Sequence, residues 1–392
     1  MRVLLFEPRV DGHHLPWTGM IAGALLERGA EVIFAHGDDP RQFERLEDGF
    51  PGLLDQLQRH PVQQDGRFDG GSAFASLCRA TEAVKPEKVL VANLDEFASS
   101  LFRRAALGGG LPNSLKGIVR GIYHRARPLD PDQGGLGNAW KYAGYRRLAR
   151  KRTFAGLGLL DEFLVEQLGG VAANPPVTWM PDFWKPFSPI DPAQARQVMG
   201  VPEGRKALLC FGVARRRKGI ALAIEAMERL DDSDAFLLVA GRQANDPELR
   251  SRLAALESVG RAVVHDRFLT EDEVSCAFLG CDRVLIPYHA HYGSSNVLST
   301  AAAAKRPVIA SDFHLIGRRV IEHKLGIVHR DGDAESLAES IEASIGASQS
   351  DLESWETGMA SWARRTSPAA FTSAVLELLD TPQLTWVRRQ SC

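Results

Sequence analysis

The sequence has 392 residues, long for a single compact core, and this predicts two domains. It is 44% hydrophobic and 24% charged, as globular proteins are, and a formal net charge of −2 excludes a globally basic nucleic-acid binder. Five cysteines (Cys78, Cys210, Cys276, Cys281, Cys392) with no Cys-x-x-Cys spacing argue against a disulfide framework or a zinc knuckle. Glu7 ends the opening apolar run too early for a secretory signal, and no apolar run approaches the ~20 residues that cross a bilayer. The expected location is the cytoplasm.

Short apolar runs alternate with helical patterns along nearly the whole chain. The first half predicts strands at Val3–Phe6, Glu31–Ala35, Lys88–Ala92, Ile118–His124, Gly156–Leu160 and Val177–Met180. Then "MPDFWKPFSPIDP" packs four prolines into residues 180–192, which is linker chemistry. The second half predicts strands at Ala207–Gly212, Ala235–Ala240, Ala262–Arg267, Val284–Pro287, Pro307–Ser311 and Gly326–His329. A helix is expected over Pro368–Leu379, with Phe371, Val375, Leu378 and Leu379 on its apolar side, followed by a tail through Trp386 that the pattern does not assign. Strands spaced by helices predict parallel sheets with right-handed crossovers. The fold class is therefore α/β: two doubly wound Rossmann-like domains facing across a cleft. The expected division is 1–185, 186–367, and a C-terminal helix and tail, 368–392, packing back on the first domain.

Ligands of such sheets sit at the carboxyl ends of the strands, and two turns in the second half suit an anion. In "HYGSSNVLSTAAAAKRPVIASD", Gly293, Ser294, Ser295 and Asn296 lead into an alanine-rich helix. Glycine lets a ligand approach the backbone, and the unpaired amides and dipole of a first helical turn attract negative charge. A plain serine-capped helix is the bland reading. In "LLCFGVARRRKGIALAIEAM", a strand ends at Gly212, and Arg215, Arg216, Arg217 and Lys218 gather four cations before Gly219. Forked arginine hydrogen bonds and a lysine point charge suit a diphosphate. A solvated loop of charges is the alternative.

These segments, with "LLVAGR", "RFLTEDEV…FLGCDRVLIPY" and "GIVHRDGDAESLAESI", resemble the nucleotide-binding domain of GT-B glycosyltransferases, in the large retaining, metal-independent group 1 (family 4-like) class, over roughly residues 205–345. The resemblance implies transfer of a sugar from a nucleoside-diphosphate donor (UDP or GDP) to an acceptor hydroxyl, with no metal and no other cofactor. It implies donor contacts from Gly212, Arg215, Lys218 and Gly293–Asn296, with Lys218 and Arg216 neutralising the leaving diphosphate. That family carries a Glu-x(7)-Glu motif whose two positions fall here on Tyr292 and Thr300, so both acids are absent; Thr300 could hydrogen-bond a hydroxyl, and Tyr292 could do so or stack. The family arginine five positions before Lys-Gly falls on Val213, which leaves Arg215 or Arg216 to substitute. His124 matches a histidine that contacts the donor sugar, an exposed loop histidine being the alternative. The first strand-to-helix loop, with Gly12, His13, His14 and then Trp17, is expected on the acceptor side, one of its histidines binding acceptor or donor or else only capping the helix, with Pro16 suited to the helix's first turn. Asp95 ends another strand and is expected to orient an acceptor hydroxyl.

Other readings carry less. No Gly-x-Gly-x-x-Gly follows the first strand and no Walker pattern occurs. His289 and His291 lack a third ligand for a metal, and "DDSD" at 231–234 reads as a turn. Residues 116–152 hold ten Lys and Arg against Asp130 and Asp132, with Trp140, Tyr142 and Tyr145 interleaved. Such a segment suits an anionic membrane surface, a solvated helix or an acidic acceptor. A non-catalytic nucleotide-sugar or partner-binding module, or a sugar-nucleotide epimerase, are the alternative functions.

Overall fold

The computed structural model describes residues 1–9, 14–151, 153–230, 234–243 and 245–380. Gly12, His13, most of the "DDSD" turn and the tail with Trp386 lie outside the described residues. The chain forms two units: Met1–Pro181 with the segment from Ala369, and Asp182–Pro368.

The first unit is built on β1 (Arg2–Glu7), β2 (Glu31–His36), β3 (Gln58–Pro61), a two-stranded antiparallel ribbon of β4 (Gln63–Gln64) and β5 (Arg67–Phe68), then β6 (Lys88–Val91), β7 (Val119–Tyr123), β8 (Phe154–Leu159) and β9 (Val177–Trp179). The main sheet runs β3-β2-β1-β6-β7-β8-β9, with every pair parallel. Parallel strands covered on both faces read as unbroken apolar runs, and Val3 to Phe6 are at most 1% exposed. β3 is absent from the sequence-based expectation because Gln58-Arg59-His60-Pro61 is a polar, largely exposed edge strand. Predicted strand ends run up to two residues long where the chain turns; Ala262–Arg267, for example, stops at His265.

The helix Pro368–Asp380 belongs to this first unit. Phe371 packs its ring on Trp17 at 4.7 Å, and the Leu378 and Leu379 carbonyls accept from Arg120 Nε and Lys88 Nζ, both at 2.9 Å. Arg120 is thus a buried anchor for that helix and not part of a basic surface, correcting its expected place in the 116–152 patch.

The second unit carries β10 (Lys206–Phe211), β11 (Ala235–Ala240), β12 (Ala262–His265), β13 (Arg283–Ile286), β14 (Val308–Ser311) and β15 (Gly326–His329). Its all-parallel order, β12-β11-β10-β13-β14-β15, reverses between β10 and β13. The first sheet reverses likewise between β1 and β6. Connections diverge at these points and leave a crevice at the strands' carboxyl ends. Each predicted site segment follows one of these strands: the cation cluster follows β10, Gly-Ser-Ser follows β13, His14 follows β1, Asp95 follows β6, and His124 follows the neighbouring β7.

Candidate functional site

In the second unit the two anion-binding turns meet. Arg216–Lys218 form one tight turn after β10, and Gly219 then takes the left-handed conformation (φ +70°) before the helix Ile220–Arg229. A Cβ there would lie 1.8 Å from the Pro287 carbonyl oxygen, so the turn lies directly against the end of β13 and only glycine fits. The Arg217 carbonyl accepts from His289 N at 3.0 Å. Lys218 Nζ lies 4.1 Å from the Tyr288 ring centroid and donates to its hydroxyl, which lies 3.4 Å from Ser295 Oγ. Lys218, Tyr288 and Ser295 therefore converge, from turns far apart in sequence, on the reversal point of the sheet.

The Gly-Ser-Ser loop leads into the helix Asn296–Ala303. Its N-cap residue, Ser295, makes no side-chain capping hydrogen bond. The plain serine-capped helix is therefore not what forms: the hydroxyl is turned to Tyr288, and the amides of the first turn are not capped by it. The loop is held from several sides. His291 Nε2 donates to the Ser294 carbonyl at 3.2 Å, which makes Nδ1 the acceptor for Arg217 Nη1 at 2.8 Å. Arg319, 1% exposed, donates to Ser294 Oγ and lies 5.1 Å over the Trp362 ring. Asn296 Nδ2 donates to the Phe183 carbonyl.

The expected donor residues divide accordingly. Arg215 and Arg216 are exposed on the turn, and Gly212 and Lys218 line a narrow recess beside Tyr288. Thr300 Oγ1 bonds Asn296 O at 3.0 Å and lines a cavity of about 300 Å³ with Phe187, Phe211, Leu269, Phe278 and Asn296. Tyr292, expected to meet the donor, is 7% exposed with its ring 4.3 Å from that of His314, so it belongs to the loop's packing. Arg217 is expected from the sequence only as one of four cations, and His291 and Arg319 are not expected at a donor site. For Arg217 and His291 the signals were the cation run and the His-x-His spacing. Arg319 reads in sequence as one more surface cation. His289 pairs with Asp331 at 3.0 Å, so the two histidines serve different partners. Among the described residues, no group of three or more His, Cys, Asp or Glu side chains could hold a metal ion.

In the first unit, His14, Asp95 and His124 line one polar cavity of about 290 Å³ with Arg9, Asn93, Glu96 and Arg125. Asp95 accepts the His124 and Arg125 amides, at 2.7 and 3.0 Å, one on each carboxylate oxygen. It thereby clamps the β6 and β7 ends together while lining the cavity. Burial pushes its carboxyl up to about 6, against the lowering effect of those two amides. His124 Nε2 donates to the Ala92 carbonyl at 3.1 Å. Trp17, expected on the acceptor surface, is 4% exposed and packs between His124 (4.8 Å) and Phe371, where it supports the histidine from behind.

Residues 205–346, which hold the cation turn and the Gly-Ser-Ser loop, match the model of the family described as Glycosyl transferases group 1. This segment is a group 1 glycosyl transferase domain. A phosphatidyl-myo-inositol mannosyltransferase of Mycobacterium leprae is 29% identical over 157 residues, 38% of this chain and 40% of that protein. The match therefore spans well under half of that curated relative. Among solved structures, a glycosyltransferase of Rickettsia africae superposes with a TM-score of 0.70 at 14% identity, covering 96% of this chain and 97% of its own. Anabaena Alr3699/HepE, solved with UDP and glucose, superposes at 0.68 and 15% identity, covering 97% and 99%. These likenesses extend beyond the group 1 domain over nearly the whole chain and show the GT-B fold expected from the sequence.

Proposed function

We propose that this protein is a glycosyltransferase that moves a sugar from a nucleoside-diphosphate donor to an acceptor hydroxyl. The observation that carries the proposal is the convergence of Lys218 and the uncapped turn at Ser295–Asn296 on the reversal point of a group 1 domain. The diphosphate lies against the amides of that turn. Lys218, with Arg216 on the same turn, stabilises the charge that develops as it leaves. The adjoining Phe211–Thr300 cavity takes the nucleoside, Thr300 standing where the family has an acid. UDP is the first base to try, since the Anabaena protein was solved with it. With cations at the leaving group the reaction needs no metal and proceeds in EDTA. By family resemblance the anomeric configuration is retained, which NMR of the product checks. The His14–His124 cavity takes the acceptor.

A second element concerns the helix Leu136–Arg150. Gly144 lets it lie close on the helix Ala98–Ala106, since a Cβ there would be 1.8 Å from the Phe102 carbonyl oxygen. Away from that contact it exposes Arg146, Arg150 and Tyr142, while Trp140 is half exposed at the edge of the contact, its indole donating to the Arg103 carbonyl at 3.4 Å. Cations beside exposed apolar groups favour peripheral contact with anionic lipid. No helix among the described residues is long and apolar enough to cross a membrane.

The test is thermal shift with UDP and GDP, followed by release of nucleoside diphosphate from UDP- and GDP-hexoses. Binding without release from any of them supports the non-catalytic module, the reading favoured by the missing acids at positions 292 and 300. Neither binding nor release refutes the proposal.

A further inference from the structure

The side chain that receives Lys218 is Tyr288, which follows Pro287 at the end of β13. That strand end holds the cation turn twice: the Pro287 carbonyl lies against Gly219, and the Tyr288 side chain takes the ammonium. Tyr288 is 3% exposed, and its ring stands edge-on to His291 at 5.3 Å, so it is a fixed support. Its hydroxyl is shared between the two turns, accepting from Lys218 Nζ and lying 3.4 Å from Ser295 Oγ. The chemistry of this support is selective. No carboxylate pairs with Lys218 among the described residues. The other polar side chains lining the recess are Cys210 and Gln243, and burial pushes the Cys210 thiol up to about 12, which keeps it neutral. A carboxylate would hold the ammonium as firmly but would cancel its charge. A phenol oxygen and a ring face hold it by dipole and quadrupole and leave the charge for an arriving anion.

We propose that Tyr288 is the positioning residue of the donor site: it holds the unneutralised ammonium of Lys218 at the diphosphate oxygen that becomes the leaving group. The inference rests on the glycosyl-transfer reading above. Tyr288 acts through Lys218, whose ammonium spends one N–H on the phenol and keeps two for phosphate oxygens. In a sugar nucleotide that oxygen is esterified, and in the free nucleoside diphosphate it is ionised. An ammonium fixed there therefore favours the diphosphate, and the transition state on the way to it, over the intact donor.

The experiment uses the full chain, with calorimetry of UDP against UDP-glucose and of GDP against GDP-mannose, and with steady-state release of the diphosphate from each sugar nucleotide. Tyr288→Phe keeps the ring and loses only the hydroxyl. It is expected to weaken the diphosphate about tenfold and lower kcat about tenfold, while the affinity and KM of the matching sugar nucleotide stay within about twofold. In the Lys218→Ala background the same change is expected to alter diphosphate affinity and kcat by less than about twofold, since the effect runs through the ammonium. Tyr288→Leu, which removes the ring face as well, is expected to fall further towards Lys218→Ala in kcat. Thermal melting by circular dichroism shows that the variants are folded. A loss of packing would weaken both ligands alike and would persist without Lys218; if Tyr288→Phe does either, or keeps wild-type diphosphate affinity and kcat, Tyr288 does not position the lysine and the transferase reading stands. If no donor releases product but the split between diphosphate and sugar nucleotide is found, the positioning stands and the transferase reading falls. If neither nucleotide binds, both fall.

Discussion

Replacing Gly219 with alanine tests whether the cation turn is braced against β13. The backbone there has φ +70°, where a side chain costs roughly 1–2 kcal/mol. The new methyl would also stand 1.8 Å from the Pro287 carbonyl oxygen, where ordinary contact begins at 3.4 Å. That oxygen belongs to the backbone, so the turn must move by about 1.6 Å, and overpacking of this kind costs roughly 1–3 kcal/mol more. The expected loss is about 2–5 kcal/mol. Gly204 is the matched control: its φ is +78° and nothing lies within 4 Å of its added Cβ, so Gly204→Ala should lose only about 1–2 kcal/mol. Urea denaturation followed by circular dichroism measures both. Lys218 moves with the turn, so UDP binding by Gly219→Ala, measured by calorimetry, should weaken about tenfold, or roughly 1.4 kcal/mol. Equal losses in the two variants, with UDP affinity unchanged, would refute the bracing.

Lys218→Ala is expected to lower turnover about 100- to 1,000-fold on the true donor, with stability changed by no more than about 1 kcal/mol since its main contact is with Tyr288. Steady-state kinetics and thermal melting check both. Arg319→Leu removes the guanidinium under Ser294 and should weaken UDP binding about tenfold, read by the same calorimetry. Asp95 has a folded carboxyl value of about 6 against an unfolded value near 3.8. The folded state thus binds the proton more tightly, and stability should fall by up to about 3 kcal/mol as pH rises from about 4 to 6, then level off. Denaturation of wild type against Asp95→Asn across pH 3.5–7 isolates this term, and a flat difference counts against it. Trp140→Ser with Arg146→Ser and Arg150→Ser should abolish co-sedimentation with phosphatidylglycerol vesicles, while phosphatidylcholine vesicles bind neither form.

Most strands were legible because parallel strands buried on both faces leave unbroken apolar runs, as in Val3–Phe6 and Ala235–Ala240. β3 was not, because an edge strand places no such demand on Gln58–Pro61. The donor turns were legible because Gly-Ser-Ser and a cation run are local signals with few other uses. What escaped depends on contacts across the chain. Arg319 looks like any basic residue of an amphipathic helix until Ser294 is seen above it. Trp17 looks like an exposed aromatic in a binding loop until Phe371, from the far end of the sequence, covers it.

The Phe371 contact has a consequence for biosynthesis. The ribosome delivers the residues of the first sheet early, but the helix that covers Trp17 and anchors Arg120 and Lys88 only after all of Asp182–Pro368 has been made. At roughly 5–20 residues per second this leaves an unfinished apolar surface waiting on the order of 10–40 s. A nascent chain stalled in that interval is a natural client for chaperones.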